Sequence, residues 1–259
     1  MQDSPCPIVV QDLTMAYGSN LIQRDLNFSV PRNAIFIIMG GSGCGKSTLL
    51  RHLTGLMAPA RGRVLLDGTD YWRAPEDHRT AMRRHIGVLF QSGALLSSLT
   101  LAQNVALPLR EHSDLNRRQI DELVELKLAL VGLAGYGNFY PSQISGGMRK
   151  RAGLARAMAL DPQILFFDEP SAGLDPLSAR RLDDLILQLR ESLGATIVVV
   201  THELASIFAI GSDSIFLDPH SKTLIAQGPP AWLRDHSDQP LVRAFLTRGA
   251  AGSPPTGEF

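Results

Sequence analysis

Short runs of consecutive apolar residues alternate along this chain with longer stretches in which apolar residues recur every third or fourth position. The runs at 34–39, 63–67, 86–90, 164–167, 196–200 and 214–217 are short and rich in β-branched or aromatic side chains. That pattern predicts strands buried on both faces. Residues 8–17 and 21–30 read as two antiparallel strands, joined at Gly18, Ser19 and Asn20 by a hairpin turn. Between 176 and 193, Leu182, Leu185, Ile186, Leu189 and Leu193 lie three or four apart, which makes one buried helical stripe. Asp175 and Pro176 in front of it supply a cap and a first-turn proline. Residues 91–161 hold mostly helical patterns and no convincing strand, so a helical subdomain inserted into the sheet domain is expected there. The alternation as a whole predicts an α/β fold with a largely parallel central sheet. There is no internal repeat. Residues 249–259, rich in Gly, Pro and Ala, are expected to be a disordered tail behind one domain spanning 1–248.

Composition narrows the function. The chain has 259 residues, 44% of them apolar and 19% charged, which is ample for a sizeable core. Lys plus Arg equal Asp plus Glu at 25 each. Without a basic excess, the usual electrostatic case for a nucleic-acid binder is missing, and no nucleic-acid partner is expected. Cys6 and Cys44 are the only cysteines, too few for a disulfide framework or a cysteine-rich zinc site, and a reducing, cytoplasmic compartment is expected. No apolar run approaches the ~20 residues that cross a bilayer, and residues 1–5 lack the pattern of a signal peptide. The expectation is a soluble protein that serves a membrane, if at all, through a partner.

The chemistry begins after the strand at 34–39. Gly40, Gly41, Ser42, Gly43, Cys44, Gly45, Lys46 and Ser47 match G-x-x-x-x-G-K-[ST], and Thr48 follows. Glycines let the backbone curl so that successive N–H groups face an anion. Lys46 carries positive charge toward the β- and γ-phosphates, the Ser47 hydroxyl is a Mg²⁺ ligand, and the helix that starts near Lys46 adds its positive end. Cys44 contributes only its backbone amide.

Other strand ends aim at the same crevice, because ligands of open α/β sheets sit beyond the carboxyl ends of the strands. The strand at 164–167 runs into Asp168 and Glu169. Asp168 is suited to hold Mg²⁺, directly or through water, and Glu169 to orient or deprotonate an attacking water. His202 follows the strand at 196–200 and is placed to contact the γ-phosphate. Gln91 ends the strand at 86–90, where a neutral amide senses Mg²⁺ or the water. The other six histidines show no metal-ligand spacing and are expected at the surface.

Ser145, Gly146 and Gly147 open a helical run that carries Arg149, Lys150, Arg151 and Arg156. Taken alone, this is a capped helix with a basic solvated face. Its two glycines also expose amides, and Ser145 can cap the helix and donate to a phosphate oxygen. A chain with one complete triphosphate cradle needs no second anion-binding helix end for itself. The economical explanation is that this end completes the site of a second copy, with two nucleotides sandwiched between two subunits.

With these motifs in place, residues 8–235 resemble the ATPase subunit of an ABC transporter. The resemblance implies a P-loop ATPase fold, ATP and Mg²⁺ as cofactors, and hydrolysis in a homodimer coupled to integral-membrane permease subunits. In family terms, residues 40–48 are the Walker A loop, Gln91 the Q-loop, Ser145, Gly146 and Gly147 the signature, Asp168 and Glu169 the end of Walker B, residues 171–175 the D-loop and His202 the switch histidine. Tyr17, near the end of the first strand, fits the family's adenine-stacking aromatic. One departure stands out: the signature usually continues with Gln, and here Met148 follows, a weak acceptor that cannot replace the amide's bonds.

Residues 89–96 and 108–112, together with Ser-Gly-Gly-Met, are similar to the Mla branch, which drives MCE-linked lipid trafficking. That implies phospholipid cargo, an MCE-domain lipid-binding protein and a small STAS-type subunit as partners, and a place on the inner face of the inner membrane. Competing readings are an ABC ATPase for another solute, a non-transport ABC ATPase of translation or DNA repair, and a P-loop GTPase or kinase. The non-transport relatives carry two cassettes or a long coiled-coil insertion, which this chain lacks. A GTPase would offer Asn-Lys-x-Asp, and no Asn here is followed by Lys.

Overall fold

The computed structural model describes residues 6–248; the expectations for the first five residues and for the tail lie outside them. The chain opens with β1 (Ile8–Tyr17), β2 (Asn20–Val30) and β3 (Ile35–Gly40), followed by α1 (Lys46–Leu53). Next come β4 (Arg61–Leu66), β5 (Thr69–Asp70), α2 (Glu76–Arg84) and β6 (Ile86–Leu89). Between β6 and β7 (Ile164–Asp168) lie α3 (Leu101–His112), α4 (Arg117–Leu130) and α5 (Gly146–Ala157). The chain closes with α6 (Pro176–Leu193), β8 (Thr196–Val200), α7 (Leu204–Ile210), β9 (Asp213–Asp218), β10 (Thr223–Gln227), α8 (Pro230–His236) and α9 (Pro240–Leu246).

A six-stranded sheet in the order β10-β9-β3-β8-β7-β6 forms the centre. It is parallel except for β10, which pairs antiparallel with β9. Alternation along β3 divides the interior. Ile35, Ile37 and Met39 point into a core shared with α3, α4, α5 and α6, while Phe36 and Ile38 point into a second core with α1 and the other sheet. β7 and β8 divide in the same way, with Leu165, Phe167, Ile197 and Val199 on the first face and Phe166, Val198 and Val200 on the second. Continuous apolar runs arise because both faces are covered.

The second sheet is antiparallel, in the order β2-β1-β4-β5. It holds the run at 63–67 and corrects the reading of that run as a strand buried on both faces. β4 enters through exposed Arg61, Gly62 and Arg63, and only Val64 and Leu66 reach the core. β6 departs similarly: it is the edge strand, and its residues alternate between buried and half-buried.

Local chemistry fixes the ends of the helices. The Asp175 carboxylate accepts from the backbone N–H groups of Leu177 and Ser178 at 3.1 and 3.0 Å, starting α6. Gly194, at φ 62°, ends it. Thr100 and Asn116 start α3 and α4 with capping boxes closed by Gln103 and Gln119.

Candidate nucleotide site

The site is built on the register of the parallel strands. Asp168 of β7 lies opposite Val200 of β8, which lies opposite Ile38 of β3, two residues before Gly40. The loops after these strands therefore leave the sheet at one level, on one edge.

The loop after β3 requires glycine at its first turn. Gly40 has φ 147°, and a Cβ there would stand 2.4 Å from the Leu217 carbonyl oxygen and 2.6 Å from Cys44 Sγ. At Gly41 and Gly43 a Cβ would project into open space, the hollow of the cradle. Gly45 precedes α1 without a side-chain cap, so the first amides of α1 remain open to an anion. Lys46 Nζ donates to the carbonyls of Gly40 (3.0 Å) and Gly41 (2.9 Å), which arch the loop over its own ammonium. Gln23, fully buried, anchors the loop from β2 by donating to the Cys44 carbonyl at 2.7 Å. Burial pushes the Cys44 thiol upward, which suits a packing role and not a reactive one.

Ser47 Oγ donates to Asp168 Oδ1 at 3.1 Å. Burial raises the Asp168 carboxyl, against the opposing pull of Ser47, Arg51 and Lys46. A hydroxyl and a carboxylate side by side form the hard-oxygen donor set that Mg²⁺ uses when water and phosphate supply the remaining ligands. The residues therefore fit the ion. No cluster of three or more His, Cys, Asp or Glu suited to a metal occurs among the described residues.

Glu169 sits at φ 49°, its N–H bonded to the Val200 carbonyl at 2.9 Å. His202 Nδ1 lies 2.8 Å from Glu169 Oε1, while Oε2 is buried with no protein partner. Sequence reading sends His202 to a phosphate; in this structure its contact is the Glu169 carboxylate. Gln91, two residues beyond the end of β6, joins Glu169, His202 and the loop in lining a cleft of about 590 Å³.

Tyr17 ends β1 beside α1, 44% exposed, with its hydroxyl accepting from Arg51 at 3.2 Å. A hydrogen bond with Thr48, more than Arg51, lowers its phenol. It is not among the residues lining the cleft. Ile22 and Phe245 are, and sequence reading missed both. Phe245 comes from α9 and packs edge-on against Phe216 at 5.2 Å between ring centroids; no local pattern signals that reach.

Ser145, Gly146 and Gly147 lie outside this cleft. Ser145 caps α5, accepting from the Met148 N–H at 3.2 Å, and Ser145 and Gly146 are exposed. Met148 packs partly buried against the larger core, so the thioether acts there as a hydrophobe. The basic face of α5 is solvated only in part: Arg149 is exposed, Arg151 and Arg156 are half-buried, and Lys150 is buried. Arg149 donates to Ile144, Lys150 to Glu169 and Ala172, Arg151 to Val131 and Gly132, and Arg156 to Gly93 and Ala94, all at backbone carbonyls. His52 is a second correction. It is 1% exposed, its Nδ1 lies 2.8 Å from the Met57 carbonyl, and burial lowers its pKa. The remaining five histidines outside the site are exposed.

Comparison with known proteins matches this geometry. Residues 23–172 fit the family model described as ABC transporter. The intermembrane phospholipid transport system ATP-binding protein MlaF of Escherichia coli is 39% identical, over 98% of this chain and 94% of that protein. The probable ribonucleotide transport ATP-binding protein mkl of Mycobacterium tuberculosis is 43% identical over 92% of this chain, which spans 66% of that relative's length. Among solved structures, cbiO1 from Clostridium perfringens superposes with a TM-score of 0.80 at 26% identity, covering 89% of this chain and 91% of that one. The dimeric post-hydrolysis state of the cassette MJ0796, bound to ADP and Pi, gives 0.77 at 29% identity, over 85% of this chain and 97% of that one. A family match across more than half of the chain, with relatives near 40% identity along nearly all of it, means that this chain belongs to the ABC transporter family.

Proposed function

We propose that the chain powers a permease that moves phospholipid or a related lipid across the bacterial envelope. Residues 1–248 act as one ATPase domain with an inserted helical subdomain at about 91–161. Two copies bind Mg-ATP face to face, hydrolyse it and reopen, and the helical subdomain carries the motion to the permease. The observation that carries the reading is the separation of two half-sites. One cleft gathers the cradle, Glu169, His202 and Gln91, with Asp168 bonded to the cradle's Ser47, while the exposed start of α5 is not part of that cleft's lining and is free to meet the cleft of a second copy.

Each residue then has a task. Lys46 exchanges its two loop carbonyls for phosphate oxygens, and Ser47 and Asp168 would hold Mg²⁺, which would supply positive charge to the phosphates. Glu169, steadied by His202, orients the attacking water and takes its proton, a contribution of about 10²- to 10⁴-fold. Ser145 and the amides of Gly146 and Gly147 seal the partner's γ-phosphate. Tyr17 meets the adenine edge.

The lipid cargo, the MCE-domain and STAS-type partners, and the peripheral position on the inner face of the inner membrane draw support from the likeness to MlaF. No helix among the described residues is long and apolar enough to cross a membrane, which makes a separate permease necessary to this reading. Transport of a ribonucleotide is the second reading, favoured by the name of the mycobacterial relative. Two measurements decide. Lys46→Ala should abolish ATP binding by calorimetry, and unchanged binding would remove the cradle from the mechanism. The chain purified with its permease in detergent should retain phospholipid and show lipid-stimulated turnover; stimulation by a ribonucleotide instead would transfer the proposal to the second reading.

A further inference from the structure

We propose that Lys150 is a positioning residue for the catalytic carboxylate, fastening α5 to the turn that carries Glu169. The inference rests on the reading of Glu169 as the base. By sequence Lys150 belongs to a basic run on a surface helix. In the structure it is 8% exposed, and its ammonium donates to the carbonyls of Glu169 (3.2 Å) and Ala172. A buried ammonium must be hydrogen-bonded, and both of its acceptors belong to the turn directly after β7. That turn also closes on itself, the Ala172 N–H donating to the Glu169 carbonyl at 3.2 Å.

The turn needs such a fastening. Glu169 holds a left-handed backbone conformation that a non-glycine residue keeps only when its surroundings fix it. Its N–H is held by Val200 and its C=O by Lys150, so the peptide groups on both sides of its Cα are tied. With the Cα fixed, the carboxylate is aimed: Oε1 meets His202, and Oε2 is buried without a protein partner. A misplacement of about 1 Å is enough to cost on the order of a hundredfold in rate.

The position of Lys150 along α5 adds a purpose. It lies five residues beyond Ser145, about 7.5 Å along a rigid helix. A phosphate engaging Ser145 on one copy therefore bears on the same helix that steadies that copy's own Glu169. Sealing one site supports the geometry of the other.

Four variants of the full chain test this: Lys150→Met, Lys150→Arg, Glu169→Gln, and Lys150→Met combined with Glu169→Gln. Lys150→Met should lower kcat by about 10- to 100-fold, the loss expected of a charge-assisted hydrogen bond, with the Kd for ATP within about twofold. Lys150→Arg should restore most of kcat. In the Glu169→Gln background, Lys150→Met should remove nothing further, because the group it positions is already disabled. Wild-type kcat in Lys150→Met overturns the proposal, and so does an equal fractional loss in the Glu169→Gln background. Wild-type turnover by Glu169→Gln alone defeats the reading of the base instead, a separate result. Should Lys150→Met fail to bind ATP, Lys150→Gln, which keeps a neutral donor, is judged by the same two criteria.

Discussion

Asn104 offers a test of how the segment after Gln91 is held. It is fully buried within α3, and its side chain serves that segment alone. Its Oδ1 accepts from the Leu96 N–H at 2.8 Å, and its Nδ2 donates to the carbonyls of Leu96, Leu99 and Thr100 at 3.1, 3.2 and 2.9 Å. In Asn104→Ala, two of those carbonyls keep other partners: Leu96 O accepts from Leu99 N, and Thr100 O from the helix N–H of residue 104. The Leu96 N–H and the Leu99 carbonyl are left without these bonds. At about 1–3 kcal/mol for each buried group left unsatisfied, less some relief where solvent reaches the half-exposed Leu96, the loss is about 2–4 kcal/mol. For a chain of this size that lowers Tm by about 5–15 °C. Scanning calorimetry of the nucleotide-free chain measures it, with Asn116→Ala as a comparison, since loss of an exposed N-cap costs about 1 kcal/mol. The cradle on β3 and α1 is untouched, so ATP affinity should hold while turnover falls through the loosened Gln91 loop. A Tm within about 1 °C of wild type would refute the hydrogen-bond accounting.

Two further outcomes follow from the site. Because burial raises the Asp168 carboxyl, its charge costs stability in the empty protein; that cost is absent at acid pH, builds as pH rises past the ordinary carboxylate value and is complete above the raised one. Asp168→Asn should therefore raise Tm at neutral pH in chelator, with the difference shrinking as pH falls into the ordinary carboxylate range, and should abolish stabilisation by Mg-ATP; a lower Tm at neutral pH would contradict the assignment of the shift to burial. Ser145→Asp keeps a good N-cap and favours the dipole of α5, so Tm should move by less than about 2 °C, yet its carboxylate would repel a partner's phosphate and cut turnover at least tenfold; full turnover in a phosphate-release assay would argue against a shared site.

What the sequence made legible has a common cause. β8 and α6 were read with the bounds they have, because every residue of β8 is buried and α6 opens on Asp175 and Pro176 and keeps its apolar stripe to Leu193. The cradle, Asp168, Glu169 and His202 were legible because short loops at strand ends put chemistry next to apolar runs. Ile22, Phe245 and the burial of His52 were not, since each depends on a neighbour far away in the chain. β4 was misplaced for a related reason: a run of apolar residues does not reveal which sheet it joins.

Three basic residues of α5 carry that lesson furthest, because their charge argued for solvation and the fold ties each to backbone carbonyls. Each of Lys150, Arg151 and Arg156 reaches a different loop, at residues 169–172, 131–132 and 93–94. The helix comes close enough only because small residues lie beneath it. A Cβ on Gly87 of β6 would stand 2.1 Å from the Ala157 carbonyl oxygen, and one on Gly153 would stand 2.9 Å from the Gly93 carbonyl oxygen. Glycines without side chains and cations with long ones thus solve one problem together. The first bring the backbones into contact, and the second satisfy the carbonyls that this contact removes from water. Ser145 at the tip of α5, the Glu169 turn held by Lys150 and the loop that follows Gln91 are consequently fixed to a single rod, which is the mechanical condition for a phosphate at one end to influence the carboxylate proposed to activate water in the same chain.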